Sequence, residues 1–272
     1  MNFSNILNEI EKIDPEVFER TSQRRHVLKS FGSKVAVAAL PFALGSLFKK
    51  SYGQSTNSII EVLNFALTLE YLEAKFYKTA VEESPGLLPA GAATGAITTI
   101  ATHESQHVTF LQTAIAGAGG VAVTSPTFDF TAGGLFPDVF TNYATFLAVA
   151  QAFEDTGVRA YKGQAGFLMS DNAVLTAALN IHSVEARHAS HIRQMRKANN
   201  QGDVKPWITG NQSGIASTAV QPVYDGEENT TQATIQITGI NGTDVSSDAA
   251  SESFDEPLTK EQVMAIVDPF IT

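Results

Sequence analysis

Cysteine is absent from all 272 residues, which excludes disulfides, iron–sulfur clusters and thiolate metal sites. Any metal would have to be held by carboxylate and imidazole. Basic residues are scarce: 18 Lys and Arg stand against 28 Asp and Glu, for a net charge of −10 and a pI near 5.0. That balance argues against nucleic acid as a partner. The shortage is uneven, since Asp225 to Glu256 carries eight acidic residues and no Lys or Arg. The apolar run from Val35 to Phe48 has 14 residues, too few to span a bilayer comfortably when roughly 20 are needed. The 43% hydrophobic content is that of an ordinary globular chain, and the length allows one sizeable core with extensions.

What is present is carboxylate and histidine at helical spacing. Glu104-Ser-Gln-His107 and Glu185-Ala-Arg-His188 each place a carboxylate and an imidazole on one helix face. With 17 Glu and 6 His in the chain, about 0.4 such motifs are expected by chance. Each motif also follows a single Glu at a similar distance: Glu70 lies 34 residues before Glu104, and Glu154 lies 31 before Glu185. The order Glu, Glu-x-x-His, Glu, Glu-x-x-His is the ligand set of a carboxylate-bridged dimetal site in a four-helix bundle. Four buried carboxylates would repel one another and take up protons without metal. Two divalent ions balance them, and oxygen with nitrogen ligation suits iron or manganese, between which the affinity order does not choose. Solvated charges on amphipathic helices are the alternative.

The periodicity predicts an all-α chain with four long helices. The first covers 58–83, with Ile59, Leu63, Ala66, Leu67 and Tyr77 around Glu70. Glu73 lies about 60° off that stripe, at 100° per residue, and is expected to flank the site or face solvent. The second covers 95–118, the third 138–168 around Glu154, and the fourth 172–199 with Asp171 as its N-cap. A connection of about 20 residues separates helices two and three, enough to travel the length of a bundle. Its Phe128, Phe130 and Phe136 are expected to seal the core. Tyr77 and Tyr161 each follow a ligand Glu by seven residues, an internal repeat that relates the helix pairs by a pseudo-twofold axis. These tyrosines are candidates for electron transfer or for hydrogen bonding to the carboxylates, with plain packing equally open. His182 and His191 are candidates to orient a ligand from behind, and His103 is expected outside the site.

Residues 1–54 read as a separate segment. Arg24-Arg25, with Leu28-Lys29 and the following apolar run, resembles a twin-arginine export signal. Whether it is cleaved or kept as a membrane anchor stays open, and an amphipathic helix with a basic patch is the alternative. Residues 201–257 read as a polar, acidic loop extension with one short strand at 233–237. Residues 258–272 carry a last helix, signalled by Thr259 and Gln262 as a capping box and by Leu258 stapled onto Val263.

Over about residues 55–200 the chain resembles the ferritin-like superfamily, in the exported branch that includes plant desiccation-related proteins. The stretch Leu63-Asn64-Phe65-Ala66-Leu67-Thr68-Leu69-Glu70-Tyr71-Leu72-Glu73-Ala74 carries the likeness, and Phe254-Asp255-Glu256-Pro257-Leu258-Thr259 adds to it. The resemblance implies a ferritin-like four-helix bundle with a long crossover between helices two and three. It also implies a non-haem centre of two iron or manganese ions that meets oxygen or peroxide. By motif match its ligands would be Glu70, Glu104, His107, Glu154, Glu185 and His188. Helices one and two contain no Met, so an interfacial haem is not expected. A periplasmic dimetal oxidoreductase active in oxidative stress is the leading expectation. A metal-sequestering or structural protein without turnover is the alternative, and association into homo-oligomers stays open.

Overall fold

Four long helices pair side by side, and the pairings fix their directions. The computed structural model describes residues 56–272; the expected export segment lies outside them. Helix α1 runs Thr56–Lys78 and ends in a π-helical turn, Thr79–Glu83. Helix α2 is Ala92–Gly117, α3 is Tyr143–Ala165 with a closing turn Gly166–Leu168, and α4 is Asn172–Ala198. Asp171 caps α4 as expected, its side chain accepting from the amides of Ala173 and Val174. Helix α3 begins later than its periodicity suggests. Asn142 caps it, and residues 138–141 are held in a turn by the amides of Thr141 and Asn142 on the carbonyl of Asp138.

Tyr77 of α1 meets Glu154 of α3 while Tyr161 of α3 meets Glu70 of α1, so the two helices are antiparallel. Contacts of Asn64 with Val121 and of Tyr71 with Gln112 run α2 against α1, and those of Gln151 with Arg196 and Asp155 with Arg193 run α4 against α3. Helices α2 and α3 are therefore parallel, and the connection between them must cross the length of the bundle. Gly119, at φ +78°, turns the chain out of α2, a conformation that costs glycine nothing. The side chain of Asn64 then holds the start of the crossover, accepting from the amide of Val123 and donating to the carbonyl of Val121.

Two of the crossover phenylalanines, Phe130 and Phe136, are buried and seal the core as expected. Phe76 lies at the centre of this aromatic cluster, 5.3 Å from Phe130 and 5.0 Å from both Phe146 and Phe153 by ring centroid. Such aromatic pairs add about 0.5–1.5 kcal/mol each beyond their buried area. The chain terminus closes the same layer: Phe270 stacks on Phe136, and Thr272 donates its amide to Thr127.

The extension is laid against α3 and α4 by buried polar groups. The guanidinium of Arg193 makes two bonds of 2.6 Å to the carboxylate of Asp155, and the hydroxyl of Tyr224 donates to the same carboxylate at 2.8 Å. Arg159, 1% exposed, pairs with Glu227 at 2.7 Å and donates to the carbonyls of Asp225 and Glu256. Removing one partner from such a buried pair costs about 3–5 kcal/mol, so this layer is what orders a segment of polar composition. Gly163 permits the closest approach, since a Cβ there would stand 1.9 Å from the carbonyl oxygen of Leu258. The expected strand at 233–237 is a hairpin instead, with Thr231–Gln232 (β1) paired to Ile235–Gln236 (β2). Ala233 and Thr234 form its turn, at φ +49° and +71°, where Gly or Asn is usual. A short helix, α5 (Ser247–Ser251), precedes α6 (Lys260–Val267), which opens on the expected Thr259–Gln262 capping box and buries Val263 and Val267.

Candidate metal centre

The middle of each long helix contributes one polar group or pair to a common level inside the apolar core. Glu70 comes from α1, Glu104 and His107 from α2, Glu154 from α3, Glu185 and His188 from α4. All four carboxylates are fully buried, and His107 and His188 nearly so. Their ligand atoms form two groups of four, Glu70–Glu104–His107–Glu185 and Glu104–Glu154–Glu185–His188, with all atoms of a group within 4.8 Å of one another. Ligands on opposite sides of a divalent ion stand about 4.2 Å apart when the bonds are near 2.1 Å. Glu104 and Glu185 belong to both groups, whereas Glu70 and Glu154 each belong to one.

His107 Nδ1 lies 3.1 Å from each of Glu70, Glu104 and Glu185. His188 Nδ1 lies 2.8 Å from Glu104 and 3.3 Å from Glu154. Those last two approaches lack hydrogen-bond alignment, so His188 Nδ1, Glu104 Oε1 and Glu154 Oε2 have no bonded partner, and neither oxygen of Glu185 has one. Buried polar atoms are rarely left unbonded. Several converging at one point, all lone-pair donors of the hard oxygen and imidazole kind, fit a pair of divalent ions. The tyrosines complete each outer carboxylate. The hydroxyl of Tyr161 donates to Glu70 Oε1 and that of Tyr77 to Glu154 Oε1, which leaves each Oε2 facing a histidine. Each tyrosine thus serves the Glu of the opposite helix, because its own Glu is two turns away, roughly 10 Å along the axis.

Without metal the cluster stores protons. Burial raises Glu70 to about 7 against the pull of His107. Burial also holds Glu185 well above the usual carboxylate range, with Glu104 and Glu70 adding to it. For Glu104, burial is outweighed by the two histidines, which bring it down to about 2. Burial opposes protonation of His107, yet the carboxylates around it push it up to about 12, and His188 similarly reaches about 11. Tyr77 and Tyr161 are held protonated, first by burial and then by their carboxylate partners.

The structure puts Glu73 beside the site, one of its two expected places, and corrects the readings of His182, His191 and His103. Glu73 is not solvated: it is 3% exposed, and a Cβ on Gly157 would stand 3.3 Å from both Glu73 and Glu185. The buried face of α1 is broad because bundle, crossover and α6 all cover it, so a residue 60° off the stripe still points inward. Burial and then the Glu185 charge hold Glu73 neutral, a fifth carboxylate beside the cluster. His182 lies within reach of the charges of Asp255 in the extension and Lys162 on α3, and His191 is exposed; no hydrogen bond joins either to the cluster among the described residues. At 100° per residue each lies about 90° from the mean direction of the Glu185–His188 pair, on opposite flanks. His103, by contrast, sits 3.0 Å from the far nitrogen of His188, Nδ1 to Nε2, with the rings stacked. It lies only about 70° from the Glu104–His107 direction, on the flank that α4 covers. The group behind a ligating histidine fixes its tautomer and orientation, and its loss costs about 10–100-fold in metal affinity. His103→Ala should therefore weaken metal binding by about that factor, as read by competition with a chromophoric chelator, while His182→Ala leaves it unchanged.

An antiparallel bundle whose middle level is a buried carboxylate–histidine cluster defines the class. The ferritin-like domain family matches residues 58–198, just over half the chain, and the chain belongs to that family. No curated protein was found to match it.

Proposed function

We propose that the chain is an exported ferritin-like protein of the desiccation-related kind, holding two iron or manganese ions and reacting with oxygen or peroxide in stress protection. The observation that carries this reading is the pair of four-ligand groups sharing Glu104 and Glu185, with unbonded donor atoms turned to a common interior. When bound, the ions would supply redox change next to two shared carboxylates. The chain's own groups do the rest. Tyr77 and Tyr161 each hold a proton against one oxygen of Glu154 and Glu70 and so fix how those carboxylates face inward. His103 fixes His188, and the apolar layers around the cluster exclude bulk water.

Reaction rather than storage is favoured by an open groove of about 380 Å³ between α2 and α4, lined by His103, Arg187, His188 and His191. Its floor includes the outer side of His188, so a small molecule could come within one side chain of the centre. Export rests on the Arg24-Arg25 segment, and the twin-arginine route carries folded proteins, which would allow metal loading beforehand. The test of the reaction is stopped-flow absorbance of the anaerobically ferrous-loaded protein mixed with oxygen or peroxide. A rapid first turnover supports the reading, as does peroxide dismutation by a manganese-loaded form. No reaction faster than free ferrous ion, and none with manganese, would favour metal sequestration or a structural role instead.

A further inference from the structure

One helical turn from the carboxylates, on the side of Tyr161, the four long helices line a partly open cavity of about 390 Å³. Three of the helices contribute a residue one turn from their own part of the cluster, and the fourth a tyrosine that reaches Glu70. Ala66 stands four residues before Glu70, Leu111 four after His107 and Ile181 four before Glu185, while α3 supplies Tyr161. Four residues rise about 6 Å, so the floor of the cavity adjoins the cluster. The walls follow α1 from Val62 to Leu69 and α4 from Ala173 to Ile181, a length of about 10–12 Å along the bundle.

The chemistry of the walls selects what can fill it. No Lys, Arg or His lines the cavity, and its one charged residue, Asp171, is engaged in capping α4. The hydroxyl of Tyr161 is committed to Glu70. Gln164 is different: it is 8% exposed, lines both this cavity and an adjoining cleft, and its side chain makes no hydrogen bond among the described residues. A water would need two to four polar partners, and one free amide does not provide them. A hydrocarbon has no such need. Since a cavity of about 150 Å³ accommodates benzene, this one holds roughly fifteen carbon atoms.

We propose that this cavity binds a neutral, elongated hydrocarbon of roughly ten to fifteen carbons, with an alcohol- or carbonyl-type oxygen placed at Gln164. A carboxylate head is disfavoured, because the walls offer no cation and Asp171 stands among them. The inference goes beyond the proposed function and does not depend on it, since the cavity is built by side chains other than the six metal-cluster residues.

The experiment is titration calorimetry of the full chain, metal-free and metal-loaded, with 1-decanol as probe. One decanol per chain is expected in both forms, with each methylene from 1-hexanol to 1-decanol tightening binding about fourfold. Decanoate should bind at least tenfold more weakly than decanol. Ala178→Phe and Ala114→Phe, which fill the cavity from α4 and α2, should each weaken decanol at least tenfold with metal content unchanged. Absence of decanol binding to the wild-type chain overturns the proposal, and so does equal decanol binding by both filled variants. If neither variant folds, the chain-length series and the decanoate comparison on the wild-type chain decide it. Metal content is counted separately, so failure of the metal reading is distinguished from failure of this one.

Discussion

Stripping metal from the purified protein should lower its melting temperature by about 15 °C or more. A ligand that binds only the folded state stabilises it by about 4 kcal/mol at a thousandfold excess over its dissociation constant. Two such ions give about 8 kcal/mol, and about 2–4 °C accompany each kcal/mol in a chain of this size. The metal-free protein is still expected to fold, because protons replace the ions. Burial keeps Glu70 and Glu185 toward their neutral forms, and His107 and His188 become cations beside Glu104. Metal must displace those protons, so its affinity falls as pH drops, and the fall steepens below the Glu70 value of about 7. Calorimetric scans before and after chelation, with metal loss measured on the same samples, provide the check. An unchanged melting temperature would return the cluster to a proton-satisfied structural core.

The second large effect is expected of Glu154→Ala. Glu154 belongs to one ligand group only, so its loss leaves Glu70, Glu104, His107 and Glu185 in place. One ion should remain and the pair should be lost. First-turnover oxidation of the ferrous protein, read by stopped-flow absorbance per bound metal, should slow by at least about 100-fold, the scale expected when one group that acts only in concert is removed. Helical content should stay intact, because the apolar stripe of α3 from Phe146 to Tyr161 is untouched. The substitution also leaves the hydroxyl of Tyr77 buried without its partner, so a modest loss of stability, about 1–3 kcal/mol, accompanies it. Wild-type rates in this variant would mean that the chemistry needs only one ion or does not use the cluster.

Much of this centre is legible in the primary structure, and the reason is periodicity. A ligand set carried on helices repeats at fixed spacing, so Glu104 with His107 and Glu185 with His188 announce themselves, and Glu70 and Glu154 follow from their place in the stripe. The seven-residue step to Tyr77 and Tyr161 is equally visible. Which Glu each tyrosine serves is not, because that depends on the antiparallel register of α1 against α3. His103 escapes a local reading, and Glu73 is left undecided between flank and solvent, for a related reason. Angles about a single helix say which residues share a face, but the width of the buried face is set by what packs on it. The signal that could have found His103 is the crossing of α2 with α4, which no local pattern encodes. The polar extension is the least legible part, since Asp155 and Arg159 are buried by segments more than 60 residues distant, through Tyr224 and Glu227. Composition alone reads such a segment as loop.

We propose that six side chains hold two ions. Anaerobic purification followed by elemental analysis tests it most directly, with wild type, Glu104→Ala and Glu185→Ala measured side by side. Two iron or manganese ions per wild-type chain are predicted, and one or none in either variant, since Glu104 and Glu185 belong to both ligand groups. Two ions retained in both variants would contradict the assignment outright.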